Sequence, residues 1–337
     1  MRLKIDINVL NAFHTIVKSK STYLGFIIRN EQLIIYSELN EIYYMALCPI
    51  ENKDNLSLRL PVETMRCLMS SGYLDIEEAT HKDGHITEKL SHYDCSGKLT
   101  CSVEVASEFS DTEELIMTFI KAVVDNNYVT VSDPEIFNKA LELTKVNSKS
   151  VDIKGVEFNN GKIYTVANGF AGFRDDPYSL SLVLSNSSLK ELVTFTSGAS
   201  NVRIIRQGGF NVCVVGTSLL AWRRVRNGQF LDIPEIDYEF KCCLELNSIR
   251  QIIDSINTEV ERFTISLKDS MIYIISQVGL YSIPISASAD VNDLDLDYKL
   301  FSKLIHTNAS IVELEANDYT VHLKINDAHY YMGVRQC

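Results

Sequence analysis

Residues 80–95, Thr-His-Lys-Asp-Gly-His-Ile-Thr-Glu-Lys-Leu-Ser-His-Tyr-Asp-Cys, bring His81, His85, His92 and Cys95 into one short stretch. A cysteine or serine hydrolase needs a nucleophile, a base and a group that orients the base. Closely spaced His and Cys could instead hold a metal ion. The stretch also carries Lys, Asp, Gly, Thr and Ser throughout, and reads as a solvated strand-and-turn region rather than as either site. The cysteines Cys48, Cys67, Cys95, Cys101, Cys213, Cys242, Cys243 and Cys337 are scattered, with no Cys-x-x-Cys pair and no zinc spacing, so most are expected to be small buried hydrophobes. There is no Gly-x-x-x-x-Gly-Lys loop and no dinucleotide fingerprint, and Gly208-Gly209-Phe210 reads as a hairpin turn. The expectation is a protein that is not an enzyme and holds no metal and no cofactor. An enzyme with an undetected site would instead show a deep pocket with shifted carboxylate or histidine pKa values.

What remains is a chain whose elements carry the information. Its 337 residues suggest two or three domains, and 23% charged with 46% hydrophobic residues is an ordinary globular composition. No apolar stretch is long enough to span a bilayer. The N-terminal residues are interrupted by Asp6, Asn8, Asn11 and His14, unlike a signal peptide. The reading is a cytoplasmic protein without a membrane partner. The net charge of −12 argues against a protein coated in nucleic acid.

Three hairpins follow one pattern. Residues 21–37, 150–166 and 260–276 each give an apolar-rich run, a polar tip (Asn30-Glu31, Asn160-Gly161, Asp269-Ser270) and a second run rich in Ile and Tyr. Six segments have the apolar spacing of short amphipathic helices: 6–19, 61–72, 133–146, 185–198, 247–257 and 297–308. Asp133 and Pro134 open the third in the manner of a cap and first turn. Residues 110–127 read as a surface helix leading into a junction. Alternating strand runs follow each helix, and a strand often precedes it. The repeating unit is a strand, a helix and about three strands, written six times. One such unit cannot enclose its own apolar face, whereas two can cover sheet surface together. The expectation is an α+β chain of three similar domains, 1–130, 131–237 and 238–337, each of two β-α-β-β-β units. Domains joined end to end leave strand edges open at the two ends, and two chains meeting head to tail would close them.

This sixfold order resembles the bacterial β-type DNA sliding clamp family, in a bacterial or phage-encoded version, over essentially the whole chain. The best-matching residues are Phe137–Gly169, with the Asn168-Gly169 turn; Asn227–Ile236, similar to the family's Gly-x-Phe-Pro-Asp-Tyr linker; and Tyr330–Cys337, similar to its Met-Pro-Met-Arg tail through Met332, Val334 and Arg335. The resemblance implies the ring-forming DNA clamp fold: a head-to-tail homodimer whose helices line a hole around duplex DNA while the sheets form the rim. It implies a replication processivity factor, a non-catalytic accessory subunit that tethers the DNA polymerase. It also implies a groove between the second and third domains for short motifs of the polymerase, the clamp loader and other clamp-motif proteins.

A clamp must hold DNA without gripping bases, since each base contact would add a sticking point of about 1–3 kcal/mol. The useful residues are sparse basic or polar side chains facing phosphates. Those expected are Lys18, Lys20, Arg66, Lys139, Lys145, Asn147, Lys149, Lys190, Arg250, Lys299 and Lys303. Glu63, Glu142, Glu191 and Asp254 stand against them, and each helix face has an alternative role as an ordinary solvated surface. Arg223, Arg224 and Arg226 form the densest basic cluster, with a structural or rim role as open as DNA contact. The resemblance assigns the peptide groove to Ile153, Ala167, Gly169, Phe170, Ala171, Pro234, Met332, Val334 and Arg335. Two departures alter its shape: Ala171-Gly172 stands where the family has a basic residue and Leu, and Gly333 where it has Pro. The second functional reading is a clamp-fold scaffold that mainly recruits transcription or recombination proteins to DNA.

Overall fold

The computed structural model describes residues 2–3, 23–50, 55–62, 72–80, 86–106, 112–124, 128–146, 152–224, 236–238, 240–256, 262–268, 271–276, 279–285, 291–306 and 309–334. In chain order the first elements are β1 (Arg2–Leu3), β2 (Tyr23–Arg29), β3 (Gln32–Leu39), β4 (Ile42–Pro49), β5 (Leu56–Pro61), β6 (Gly72–Thr80), β7 (Ile86–Asp94), β8 (Leu99–Ala106) and α1 (Thr112–Val124). Next come β9 (Tyr128–Val131), α2 (Glu135–Leu143), β10 (Gly155–Asn159), β11 (Lys162–Ala167), β12 (Phe170–Asp175), β13 (Leu182–Ser185), α3 (Asn186–Thr196), β14 (Val202–Gln207), β15 (Phe210–Val215) and β16 (Ser218–Arg223). The chain continues with β17 (Phe240–Glu245), α4 (Leu246–Ser255), β18 (Arg262–Lys268), β19 (Met271–Ser276), β20 (Gly279–Pro284), β21 (Val291–Asp297), α5 (Tyr298–Ile305), β22 (Ile311–Ala316), β23 (Thr320–Ile325) and β24 (Ala328–Gly333).

The hairpin reading of the polar tips holds. Asn30 and Glu31 both take positive φ between the paired residues Arg29 and Gln32, and Asn160 and Gly161 do the same between Asn159 and Lys162. Positive φ at both central residues matches the right-handed twist of the flanking strands. In the third hairpin Lys268 pairs with Met271, and its tip lies outside the described residues. Four of the six expected helices form as α2 to α5. Asp297 caps α5 by accepting from the Leu300 amide at 2.7 Å, and Ser185 Oγ accepts from the Ser188 amide at 3.1 Å where α3 begins. The expected helix at 6–19 and residues 63–71 of the expected second helix lie outside the described residues.

Strand exchange organises the repeats. The strand that opens one repeat joins the sheet of its neighbour: β1 pairs with β6, β5 with β2, β9 with β14, β13 with β10, β17 with β22, and β21 with β18. The half-sheets so formed then join in pairs through their last strands. β4 pairs with β16, giving the order β5-β2-β3-β4-β16-β15-β14-β9. β12 pairs with β24, giving β13-β10-β11-β12-β24-β23-β22-β17. Two half-sheets remain four-stranded, β1-β6-β7-β8 and β20-β19-β18-β21, with β8 and β20 at sheet edges among the described residues. The chain forms two compact units, Met1–Pro134 with Thr194–Arg224 and Glu135–Val193 with Val225–Cys337, each holding one eight-stranded and one four-stranded sheet. The segment 131–237 thus contributes to both units.

Residues Thr112–Val124 form the helix expected within 110–127, with Glu114, Thr118 and Lys121 exposed, and its inner face is part of the core. Helix α1 buries Ile116, Phe119, Ile120 and Ala122 in a core shared with Ile27, Ile34, Tyr43, Met45, Val212 and Val214. Phe119 lies 5.6 Å from the Tyr43 ring and 5.1 Å from the Phe210 ring, at the tilted and edge-on angles aromatic pairs prefer. Arg29 of β2 pairs with Glu113 in the first turn of α1. The sheet beneath is therefore covered on this face, and the unbroken buried runs of β2, β3 and β4 reflect burial of both faces.

The expectation that most cysteines are buried holds for Cys48, Cys213 and Cys242, whereas Cys95 and Cys243 are exposed and Cys101 is half-buried. No helix among the described residues is long and apolar enough to cross a membrane. Replacing Phe119 by Ala should lower unfolding stability by about 3–5 kcal/mol, the cost of emptying a large aromatic site. Denaturant titration measures this, and a loss under about 1 kcal/mol would place α1 outside the core.

Candidate nucleic-acid and peptide interfaces

Each described helix buries one stripe and leaves a polar one. α2 buries Ile136, Phe137, Ala140 and Leu143, which leaves Asn138, Lys139 and Glu142 on its other side. α5 buries Tyr298, Leu300, Phe301, Leu304 and Ile305, with Lys299 half-buried and Lys303 exposed. Lys190 of α3 is exposed between the buried Leu189 and Leu192. Lys18, Lys20, Arg66, Asn147 and Lys149 lie outside the described residues.

The structure gives Arg250 a local task. Its Nε donates to the Ile305 carbonyl at 2.7 Å and its Nη2 to the Ala309 carbonyl at 2.7 Å, while Nη1 donates to Asn247 Oδ1 at 3.2 Å. The guanidinium ties α4 to the carbonyl end of α5, a favourable place for a cation. In the other unit Arg223 pairs with Glu41, and Arg224 Nη1 donates to the Gly208 carbonyl at 3.5 Å, so two members of the dense arginine cluster act within the fold. Arg226 lies outside the described residues.

Two expected residues, Lys145 and Lys303, are brought to one cavity of about 400 Å³ at the C-terminal ends of α2 and α5. Arg174 of β12 also lines it and is buried, with 7% of its surface exposed. Its Nη1 donates to Glu142 Oε2 at 3.1 Å and to the Lys139 carbonyl at 3.3 Å, and its Nη2 lies 3.4 Å from Asp327 Oδ1. These bonds hold α2 against the sheet and against the β23–β24 turn. The buried Arg174 Nε has no acceptor among the described residues. Burial pushes the Tyr330 phenol at the same cavity up to about 12, with Arg174 pulling against that shift and Glu142 and Asp327 adding to it.

Four of the residues expected at a peptide groove, Ala167, Gly169, Phe170 and Ala171, lie where β11 turns into β12. Gly169 takes φ +71° in the Asn168-Gly169 turn, a backbone that favours glycine. Phe170 pairs with Met332 across the β12–β24 seam, and Ala167 and Ala171 flank the turn. The Gly333 amide donates to the Gly169 carbonyl at 2.9 Å, a bond that proline at this position could not make. The Val334 amide donates to the Tyr319 carbonyl at 2.8 Å. Phe170, Met332 and Ile153 are buried and offer little surface of their own. Exposed apolar side chains near the turn come from Val166, opposite Ala171, and Tyr319, whose turn follows Asn317 Oδ1 accepting from the Tyr319 and Thr320 amides. Sequence reasoning missed both; an aromatic at the end of an Asn-Asp turn was the available signal for Tyr319. Pro234 and Arg335 lie outside the described residues.

A stack of rings crosses the same seam on the sheet's other face, also unforeseen. Phe173 and His329 stack at 4.6 Å, His329 and His322 at 5.2 Å, and His322 and Tyr331 at 4.5 Å. Lys162 Nζ lies over Phe173, 4.6 Å from its centroid. His322 bonds to His329 at 3.1 Å and to Glu315 Oε2 at 2.9 Å, and Glu315 also accepts from Lys241 at 2.6 Å. Burial raises the Glu315 pKa, but the bonds from Lys241 and His322 outweigh it and hold the carboxyl below its ordinary range. Burial, then the neighbouring His322 and Lys324, push His329 below the usual histidine value, with Lys162 adding to this and Asp175 opposing it.

His81 and His85 lie outside the described residues. His92 is buried and bonded to Thr100, whereas Cys95 is exposed, and no cluster of His, Cys, Asp or Glu with metal-binding geometry occurs among the described residues.

No protein-family profile matches the chain, and no curated protein sequence matches it. Solved structures do match over full length. DNA polymerase III subunit beta from Pseudomonas aeruginosa has 11% identity and a TM-score of 0.72, with 100% of both chains covered. A DNA polymerase sliding clamp from the same organism, solved with a ligand, has 10% identity and a TM-score of 0.70, again covering 100% of both. DNA polymerase III subunit beta from Borrelia burgdorferi, solved with a natural product, has 12% identity and a TM-score of 0.66, covering 100% of this chain and 99% of that one. The chain has the sliding-clamp fold.

The depressed pKa values predict acid sensitivity of definite sign. As pH falls below about 6.5 the unfolded chain takes up the His329 proton before the folded one does, so stability declines. Glu315 contributes stability that is present above its unfolded pKa and is lost as pH falls further. Denaturation midpoints between pH 7.5 and 5 should fall for the natural chain and fall less for His329→Gln; equal slopes would contradict the assignment.

Proposed function

We propose that the chain is a DNA sliding clamp, a non-catalytic subunit that encircles duplex DNA and tethers a polymerase. The observation that carries this is the pair of leftover half-sheets. Among the described residues, the other last strands of half-sheets are joined to their counterparts, β4 to β16 and β12 to β24, while β8 and β20 lie at sheet edges. Pairing β8 of one copy with β20 of a second builds the same eight-stranded sheet again, and doing so at both ends closes two chains head to tail. The full-length likeness to DNA polymerase III beta structures supports the same reading. Within this reading the six repeats are taken as three domains, 1–130, 131–237 and 238–337.

In this ring Lys139, Lys145, Lys190, Lys299 and Lys303 meet phosphates, together with Lys18, Lys20, Arg66, Asn147 and Lys149. Contacts of this kind are independent of sequence and weaken with salt, which suits sliding. Arg250 serves the α4–α5 junction first. The peptide motifs of the polymerase, the loader and other partners dock at Ala167, Gly169, Ala171 and Val334, over a floor of Ile153, Phe170 and Met332, with Pro234 and Arg335 completing the groove. Exposed Val166 and Tyr319 extend the apolar surface available to such a peptide. The work takes place in the cytosol.

The closed pair should have about twice the 38.1 kDa chain mass in solution. Once loaded, it should remain on a nicked circle at salt that removes simple DNA binders, and leave when the circle is cut. Equal loss from circles and linear DNA would contradict encirclement. If the protein stays on circles but adds nothing to the length of polymerase products, the recruiting scaffold becomes the better reading.

A further inference from the structure

The cavity at the C-terminal ends of α2 and α5 gathers basic donors from separate elements, and two of them, Lys145 and Lys303, are ones the clamp reading also gives to DNA phosphates. Lys145 and Lys303 are exposed at it, and neither has an acidic partner among the described residues. The Arg174 guanidinium, which also lines the cavity, is fixed in place by Glu142, Asp327 and the Lys139 carbonyl. Tyr330 adds a phenol that burial keeps protonated. The carboxylate in the wall, Glu142, is engaged by Arg174, and the His306 ring is engaged by Asp254 and the Ser302 carbonyl.

The cavity wall also takes in Val146, Leu304 and Ile325, apolar residues that are themselves buried. Its volume of about 400 Å³ lies in the range of small-molecule sites, roughly 300–1,000 Å³. It is room for about a dozen waters at ~30 Å³ each, more than a bare oxyanion fills. A group with three terminal oxygens can accept from both ammonium groups and from the guanidinium at once. An attached flat, weakly polar moiety would then meet these apolar residues.

We propose that this cavity binds the phosphate of a nucleotide, with the sugar and base against Val146, Leu304 and Ile325. Two sources carry this chemistry: a free nucleoside monophosphate, or the 5′-phosphorylated end of a DNA strand. The inference stands apart from ring closure, because every residue it uses lies in the unit formed by Glu135–Val193 and Val225–Cys337.

The test is an NMR titration of the full chain with adenosine 5′-monophosphate, read by phosphorus line broadening and saturation transfer, with adenosine as control. Saturable binding is expected for the monophosphate and not for adenosine. The exposed lysines permit a Lys145→Ala/Lys303→Ala chain to fold, which circular dichroism checks. That chain should bind at least about tenfold more weakly, the loss of one charge-assisted hydrogen bond or more, while Lys145→Arg/Lys303→Arg stays within about threefold. A 5′-phosphorylated oligonucleotide that displaces the monophosphate, where its 5′-hydroxyl counterpart does not, identifies the strand end as the source. Displacement by neither leaves the free nucleotide as the source. No saturation by about 10 mM, or equal binding by the alanine chain, overturns the site. Retention on DNA circles is a separate readout, so failure here and failure of the clamp reading are told apart.

Discussion

Backbone pairing between the last strands of half-sheets is the constraint on which the rest depends. An unpaired strand edge exposes a row of amides and carbonyls that must meet water, another strand or a cover. Here the exchange of opening strands makes half-sheets, and the seams β4–β16 and β12–β24 make full sheets out of residues far apart in sequence. The turn at Gly169, residues 332–334 and the Arg174 cavity all sit along the second seam. Their geometry follows from its register, with Phe170 opposite Met332 and Gly172 opposite Tyr330. Gly333 fits the same logic, since its amide extends the pairing to the Gly169 carbonyl.

The two eight-stranded sheets meet the solvent differently on corresponding faces. Aligning their turns and registers matches Ile27 with Glu157, Met45 with Phe173, Leu219 with His329, Val212 with His322 and Ile205 with Glu315. The first member of each pair is apolar because α1 lies over that face. The second set is polar or aromatic, and its rings stack edge-on to solvent across the seam. Glu157 keeps its carboxyl above the usual range through burial in this layer. One repeat thus supports two surfaces: an internal one covered by the chain's own helix, and one held together by stacking and charge.

Local chemistry was legible in the sequence, and long-range partners were not. Asn30-Glu31 and Asn160-Gly161 announce their hairpins because a left-handed tip needs such residues. Asp297 announces α5 because its carboxylate satisfies an orphan amide. By contrast, nothing near Arg250 reveals the Ile305 and Ala309 carbonyls that occupy it, and nothing near Arg174 reveals Glu142 and Asp327. Those contacts are set by which helix lies beside which strand, a consequence of the exchange. The same holds for α1: Ile116, Phe119 and Ile120 gave an amphipathic stripe, but its cover, the aromatic pair Tyr43 and Phe210, comes from distant strands. Among the residues expected at a peptide groove, the burial of Ile153, Phe170 and Met332 was not legible in the sequence.

Amide hydrogen exchange as a function of protein concentration tests the central claim most directly. If β8 and β20 close the ring, amides in Leu99–Ala106 and Gly279–Pro284 gain protection as concentration rises, while the seams β4–β16 and β12–β24 are protected throughout. If both edge strands exchange at one rate across the whole concentration range, and that rate is the rate of open edges, the closure does not form.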